Sequence, residues 1–307
     1  MERQLVQWLK DHFGDPVFAK IGIGDDCAVL PATAADCILT ADVICDGTHF
    51  QSSEHSPEQI GRKALAVNLS DLAAMGAEAK TAIVSMTIPR SRNFDYVQRL
   101  FLGMQPLLER YNVEIAGGDT TVWDGALLIS VTALGLAPQA GAWTISGAKP
   151  GDRILVTGAF GGSIRGHHLE FEPRLDFARQ WRESGSVNAC TDVSDSLSLD
   201  LAKIAEASGV GCEIDAERIP VSEASDAVAR TSSLSPLRHA LSDGEDFELI
   251  VAVSPEHVDQ MIRETDSAIH VTDIGCFTDG EQLTLIESGQ RKPLDVSGYI
   301  HVLDSNS

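Results

Sequence analysis

The amino-acid sequence predicts an α/β (α+β) protein built as two domains. Three observations carry that expectation. Apolar stretches with strand character alternate with amphipathic helical stretches in both halves of the chain. The texture changes once, near residues 138–151, where P-Q-A-G-A and S-G-A-K-P-G-D cluster proline and glycine. And 307 residues are enough for two separate hydrophobic cores. We place the first domain at residues 1–140 and the second at 147–307.

The elements follow in chain order. Residues 2–13 set Leu5, Trp8, Leu9, His12 and Phe13 at helical spacing. A strand is expected at 37–43. Ser56-Pro57-Glu58-Gln59 reads as a helix start, with Ser at the N-cap, Pro at the first helical position and Gln three residues after the cap. That helix is expected to reach about Met75 and to stop at Gly76. Residues 80–88 read as a strand, 94–111 as a helix, 113–116 as a short strand and 126–136 as an apolar strand. In the second domain, 153–157 is strand-like and 158–162 is a glycine-rich turn. Helices are expected at 175–183, 197–208 and 255–263, and strands at 211–214, 247–253 and 271–274.

Composition narrows the function. The hydrophobic fraction is 43% with few aromatics, ordinary for a soluble α/β protein. No apolar run reaches the length of a membrane span, and the polar start Met1-Glu2-Arg3-Gln4 lacks a signal-peptide core. A cytoplasmic protein with no membrane partner is expected. The formal net charge of −22 argues against a nucleic-acid partner, which requires a basic surface; most of that charge reads as a solubilising surface. The cysteines Cys27, Cys37, Cys45, Cys190, Cys212 and Cys276 form no C-x-x-C pair and read as reduced thiols.

The chemistry is carried by aspartates set in short phrases: Gly22-Ile23-Gly24-Asp25-Asp26, Thr40-Ala41-Asp42, Asn68-Leu69-Ser70-Asp71, Gly117-Gly118-Asp119-Thr120-Thr121 and Asp192-Val193-Ser194-Asp195-Ser196. Gathered together they make a pocket of mutually repelling carboxylates. Hard divalent cations relieve that repulsion, and Mg²⁺ bound by carboxylates is the usual companion of substrate phosphates. Each phrase also has a plainer reading. Asp25 sits in a turn that glycine and aspartate favour for conformational reasons. Asp42 closes an apolar strand, where a solvated end would also suit an acid. Asp71 shares a face with Asn68 on a helix that is apolar nearly all round, so it requires a partner unless it lies on a solvated stripe. Gly117 and Gly118 allow close approach of a phosphate, or form a hairpin turn. Asp195 could cap the following helix as well as bind metal. Ser242-Asp243-Gly244-Glu245-Asp246 is a further acidic turn.

Other nucleotide and catalytic signatures are missing. There is no G-x-x-x-x-G-K-[ST] loop, no kinase H-R-D or D-F-G set, no structural-zinc spacing and no arguable Ser/His/Asp set.

Taken in this order, the phrases closely resemble the thiamine-monophosphate kinase family. The run Ala64-Leu65-Ala66-Val67-Asn68-Leu69-Ser70-Asp71-Leu72-Ala73-Ala74-Met75-Gly76-Ala77 is the most specific part, supported by S-G-A-K-P-G-D from Ser146 and A-L-S-D-G-E-D-F-E-L from Ala240. The resemblance implies a two-domain fold of the aminoimidazole ribotide synthetase type. Its N-terminal mixed sheet would join that of a second copy in a barrel, making a homodimer, and a C-terminal α/β domain would follow. ATP would be the co-substrate, with several Mg²⁺ ions, and thiamine monophosphate the acceptor. Residue by residue, it implies Mg²⁺ binding by Asp25, Thr40, Asp42, Asp71, Asp119, Asp192 and Asp195. It places Tyr111, Gly118, Asp119 and Ser194 at the nucleotide, and His49, Glu245 and Tyr299 at the thiamine substrate. The acceptor oxygen is already anionic at neutral pH, so no general base is expected.

The sequence departs from that pattern at four places. Ala41 stands where a metal-facing Thr is usual, Ile145 replaces an Arg that contacts ATP, Ser196 replaces a Gly, and the segment 162–168 is short. Two other readings stay open: an ATP-dependent enzyme of the same superfamily with a different acceptor, and a non-catalytic nucleotide- or metal-binding paralogue. The missing arginine generates a test. Ile145→Arg is expected to lower the KM for ATP, because it restores a charge-assisted contact of a class worth about 1.5–3 kcal/mol. An unchanged or raised KM in the folded variant would mean that the nucleotide side has been rebuilt around Ile145.

Overall fold

A computed structural model of the chain describes residues 2–14, 17–19, 30, 31 and 33–300. It divides into two compact units. Met1–Gly141 with Leu169–Leu175 forms one, and Ala142–His168 with Asp176–Ser307 the other. The short stretch Leu169–Leu175 therefore belongs with the first unit, although the chain around it belongs to the second.

The first unit contains α1 (Glu2–Phe13), β1 (Cys37–Cys45), α2 (Pro57–Ala74), β2 (Glu78–Pro89), α3 (Phe94–Tyr111), β3 (Glu114–Trp123) and β4 (Leu128–Leu136). Its sheet is mixed, in the order β1-β4-β2-β3, with β2 and β3 parallel and the other pairs antiparallel. The start of α2 has the expected capping box. Gln59 N–H donates to Ser56 Oγ at 3.2 Å, and Ser56 N–H donates to Gln59 Oε1 at 3.1 Å. The helix closes at Ala74, two residues before Gly76, whose φ of 65° breaks the helical path. As its all-round apolar sequence requires, α2 is buried on nearly every side, and even Lys63, Asn68 and Ser70 are inaccessible. It crosses α3 at backbone contact: a Cβ on Gly61 would lie 1.8 Å from the Leu100 carbonyl oxygen, and one on Gly103 would lie 1.9 Å from that of Glu58. Pro106 sits inside α3, but on its solvent side beside exposed Leu102, so the carbonyl that loses its helical partner can be hydrated.

Two strands differ from expectation. β1 continues to Cys45, so Asp42 lies inside the strand and not at its end. β3 does not stop at residue 116 but runs through both glycines to Trp123. Gly117 and Gly118 are therefore neither a hairpin turn nor a loop. Register skips one residue at Ala116, a bulge, after which Val84 pairs with Gly118 and Ser85 with Asp119. Glycine is required at Gly118 because a Cβ would meet the Val84 carbonyl oxygen at 1.9 Å.

The second unit contains β5 (Arg153–Thr157), α4 (His167–Glu170, which ends in the first unit), α5 (Leu175–Trp181), β6 (Val187–Asp192), α6 (Leu197–Ser208), β7 (Gly211–Asp215), α7 (Glu223–Ala229), α8 (Pro236–Ser242), β8 (Leu249–Val253), α9 (Pro255–Glu264), β9 (Val271–Thr278), β10 (Leu283–Glu287) and β11 (Gln290–Pro293). Seven strands form one sheet in the order β11-β10-β7-β9-β5-β8-β6, and only β7 and β10 are parallel. The α/β reading of both halves holds. β8 begins two residues later than expected because Phe247 has φ 51°. The core of this unit gathers Phe160, Val193, Leu197, Leu201, Ile250 and Phe277. Among the described residues no helix is long and apolar enough to cross a membrane.

Candidate functional site

The first unit brings together one group of the expected residues. Thr40 and Asp42 alternate with Leu39, Ala41 and Val43 along β1, so the two sets lie on opposite faces. Register puts Thr40 in the row of Ala133 and Ala82, and Asp42 in the row of Val131 and Val84; these four row partners are buried, while Thr40 and Asp42 are half-buried. There Thr40 Oγ1 donates to Asp71 Oδ2, and the Asp42 N–H donates to Asn68 Oδ1 at 3.1 Å. Asn68 is held in turn by its Nδ2, which donates to the Ala64 carbonyl at 3.1 Å. The i, i+3 pair of α2 thus reads the i, i+2 pair of β1.

The electrostatics of this pair are unusual. Burial, then the charge of Asp42, push the Asp71 carboxyl from its ordinary 3.8 up to about 7, against the lowering effect of the Thr40 hydrogen bond. Burial also raises Asp42, while its contact with Asp71 and the nearby His49 ring pull it down. Two partly buried carboxyls in contact repel, and a proton or a cation between them relieves that repulsion. The donors are all oxygen, from carboxylates and a hydroxyl, which suits Mg²⁺ and disfavours softer metals.

Ala41 points away from this pair, so its missing hydroxyl leaves the Thr40–Asp42–Asp71 contacts untouched. Asp119 stands apart as well. It falls in the row of Ser85, Ser130 and Val43, on the other face of the sheet, and on the far edge strand. Three strand spacings separate the edges, roughly 14 Å. Among the described residues no three His, Cys, Asp or Glu side chains gather around one point. Asp25 and its phrase Gly22-Ile23-Gly24-Asp25-Asp26 lie outside the described residues.

His49 follows β1 in the same unit. Its Nδ1 accepts the Cys45 N–H at 3.1 Å, which leaves the ring proton on Nε2. Buried Lys63 donates from Nζ to the His49 carbonyl at 2.7 Å, a support not visible in the sequence. Tyr111 uses its hydroxyl to hold Leu169–Leu175, donating to Glu172 Oε1 and, at 3.1 Å, to the Pro173 carbonyl. Arg62 and Arg110 pair with the same Glu172.

The second unit assembles another group. Asp192 ends β6 and is buried beside Cys190, whose thiol is raised by burial and then by the Asp192 charge. The residues after it are stitched to the acidic turn and to the C-terminal segment. Glu245 N–H donates to the Ser194 carbonyl at 2.8 Å, Phe247 N–H to that of Val193 at 2.9 Å, and Tyr299 N–H to that of Asp195 at 3.1 Å. Asp192, Ser194, Asp195, Glu245 and Tyr299 are therefore neighbours. Glu245 adopts φ 61°, a left-handed conformation that non-glycine residues seldom take and that recurs at functional sites. Asp195 does not cap α6. Ser196 does, its Oγ accepting the Leu199 N–H at 3.0 Å and donating to the Ser297 carbonyl at 2.7 Å. With φ 170° its backbone is extended, so the position makes no demand for glycine.

The glycine-rich turn at 158–162 is not a phosphate cradle. Gly161 N–H donates to Asp246 Oδ1 at 3.0 Å and Gly162 N–H to Asp243 Oδ2 at 2.9 Å, so its donors serve carboxylates of its own unit. Burial pushes the Asp246 carboxyl well up. Ile145 is partly exposed, on the stretch where the Cys190 N–H donates to the Thr144 carbonyl.

Known proteins share this fold. Residues 24–137 match the family described as AIR synthase related protein, N-terminal domain, and residues 149–287 match its C-terminal domain. A thiamine-monophosphate kinase of Rhodopirellula baltica is 41% identical over 283 residues, covering 90% of this chain and 89% of that protein. The solved structure of AaThiL complexed with AMPPCP and TMP superposes with a TM-score of 0.77 at 28% identity, over 98% of this chain and 97% of its own. E. coli HypE, a hydrogenase maturation protein, shares the fold at 19% identity, with a TM-score of 0.80 over 100% of this chain and 99% of its own.

The raised Asp71 carboxyl has a consequence for stability. Its folded value near 7 lies above the ordinary 3.8 of an unfolded chain, so the folded protein holds the extra proton between those values. The stabilisation it contributes is complete below about pH 4 and is lost as pH rises through about 7. In excess chelator, the melting temperature is expected to fall from pH 5 to pH 8, and Asp71→Asn to flatten that decline. Parallel pH profiles for the two proteins would place Asp71 in an ordinary aqueous environment.

Proposed function

The chain belongs to the thiamine-monophosphate kinase family of the AIR synthase related proteins, and from that premise we propose that it phosphorylates thiamine monophosphate with ATP, giving thiamine diphosphate and ADP. The 41% identity to a thiamine-monophosphate kinase across nearly the whole of both chains carries this reading. The likeness to a structure holding an ATP analogue together with TMP supports it.

The acceptor is an anionic phosphate oxygen that attacks the γ-phosphorus in line, while the bond from that phosphorus to the bridging oxygen of ADP breaks. No proton has to be removed from the nucleophile, and this reading assigns no general base. The barrier is repulsion between two polyanions, and bound Mg²⁺ supplies the positive charge that offsets it. We assign the metals to Asp25, Thr40, Asp42, Asp71, Asp119, Asp192 and Asp195, of which Asp42 and Asp71 have the contacts that favour a cation most directly. Tyr111, Gly118, Asp119 and Ser194 take the nucleotide side. His49, Glu245 and Tyr299 take the thiamine side. A carboxylate at Glu245 suits a cationic thiazolium.

A homodimer belongs to the same proposal. The sheet face opposite α2 exposes Leu39, Val43 and Ile83, with Asp119 among them. An apolar sheet face of this kind requires cover, and a second copy offering the same face would close the two sheets against each other. The free thiols Cys37, Cys45, Cys190, Cys212 and Cys276 suit a reducing cytoplasm.

Purified protein with ATP, Mg²⁺ and thiamine monophosphate is expected to yield ADP and thiamine diphosphate. Turnover only with another acceptor would favour a different enzyme of the superfamily, and ATP binding without turnover a non-catalytic paralogue. Within the active protein, Glu245→Gln is expected to raise the KM for thiamine monophosphate about tenfold or more, with a smaller change for ATP. Equal effects on both substrates would remove Glu245 from the acceptor side.

A further inference from the structure

Lys203 lies on α6, eight residues beyond Asp195. Its Nζ donates at 2.6 Å to Asp195 Oδ2 and at 2.6 Å to Asp200 Oδ1. The two acceptors are not equivalent. The Asp200 side chain is 1% exposed, and its other oxygen accepts the backbone N–H groups of Asp195 and Ser196, both at 3.0 Å. It is committed to shaping the loop after β6. The Asp195 side chain is 30% exposed, and that of Lys203 40%. Solvent and ions reach this pair.

A carboxylate that already holds an ammonium group is a poor ligand for a second cation, because the two positive charges repel across one oxygen. The same ammonium also has a permanent anchor in Asp200, so it can leave Asp195 without being released into solvent. We propose that the Lys203 ammonium is a resident counter-ion of Asp195, which a divalent cation must displace, so that Lys203 sets how tightly this carboxylate takes up metal. The inference rests on the reading of Asp195 as a metal ligand. It goes beyond that reading by giving Lys203 a role opposed to metal binding. A lysine that merely clamped the loop would have the contrary effect: its loss would loosen Asp195 and weaken metal uptake.

The test is Mn²⁺ binding to the full chain at low ionic strength, followed by electron paramagnetic resonance. Lys203→Gln is expected to tighten one Mn²⁺ site about three- to tenfold, the scale of a partly exposed ion pair. Lys203→Met, which keeps the apolar stem of the side chain, is expected to do the same and guards against a folding defect peculiar to Gln. Lys203→Arg keeps the charge and should bind no more tightly than the parent. The gain should vanish when Asp195→Asn is added. Unchanged or weaker binding in folded Lys203→Gln or Lys203→Met overturns the inference and leaves metal-dependent transfer standing, as does a gain that survives Asp195→Asn. No Mn²⁺ binding by the parent or the variants overturns both.

Discussion

Asp42 and Asp71 sit side by side, each partly buried, and much of the first unit can be understood as the frame that keeps them there. A strand and a helix each supply one carboxyl. Thr40 and Asn68 tie the two elements together through the same polar cluster. The helix is fixed at its start by the Ser56–Gln59 capping box and along its flank by backbone contact with α3 at Gly61 and Gly103. Asp71 is one of the few positions of this helix that is not fully buried. A hydrophobic environment that would normally exclude two acids instead forces them into contact, and that contact costs stability unless a positive charge is shared. The frame accepts a cost in folding stability at this pair, a pattern characteristic of functional positions.

The second unit has the same problem of dense negative charge and meets it by other means. Asp200 takes two backbone N–H groups and Lys203. Asp243 and Asp246 take N–H groups from a turn in which Gly161 and Gly162 have φ of 89° and 72°. Asp195 has a partner in Lys203 that is half exposed and shared with Asp200. Carboxylates with fixed partners build the loops here, whereas the partner of Asp195 is half exposed.

Much of this was legible in the sequence where a local rule acts alone. The cap at Ser56, the stop at Gly76, the helix at 94–111 and the buried, polar-spotted α2 follow from periodicity, capping and composition. Long-range packing hid the rest. Gly117 and Gly118 look like a turn, yet β2 lies against them and converts the stretch into strand, with Val84 leaving no room for a Cβ at Gly118. Asp195 looks like a helix cap, yet the hydroxyl of Ser196 is better placed and Lys203 draws the carboxylate away. Ala41 and Ser196 look like losses from a family pattern. Strand alternation turns Ala41 to the other face, and an extended backbone makes Ser196 an improved cap. β6, with residues Val187 and Asn188 only partly buried, carries too few apolar residues to announce itself, although it delivers Asp192.

The most direct test of the cation-ready pair is the effect of Mg²⁺ on stability at pH 8, where no proton is available to share between the carboxyls. A ligand that binds only the folded state raises its melting temperature with concentration. The parent protein is expected to be stabilised progressively by Mg²⁺. Asp71→Asn should start at least as stable without metal, because the repulsion is gone, and should gain little from Mg²⁺. An equal Mg²⁺-dependent rise in both proteins, or a large loss of metal-free stability in Asp71→Asn, would contradict the account.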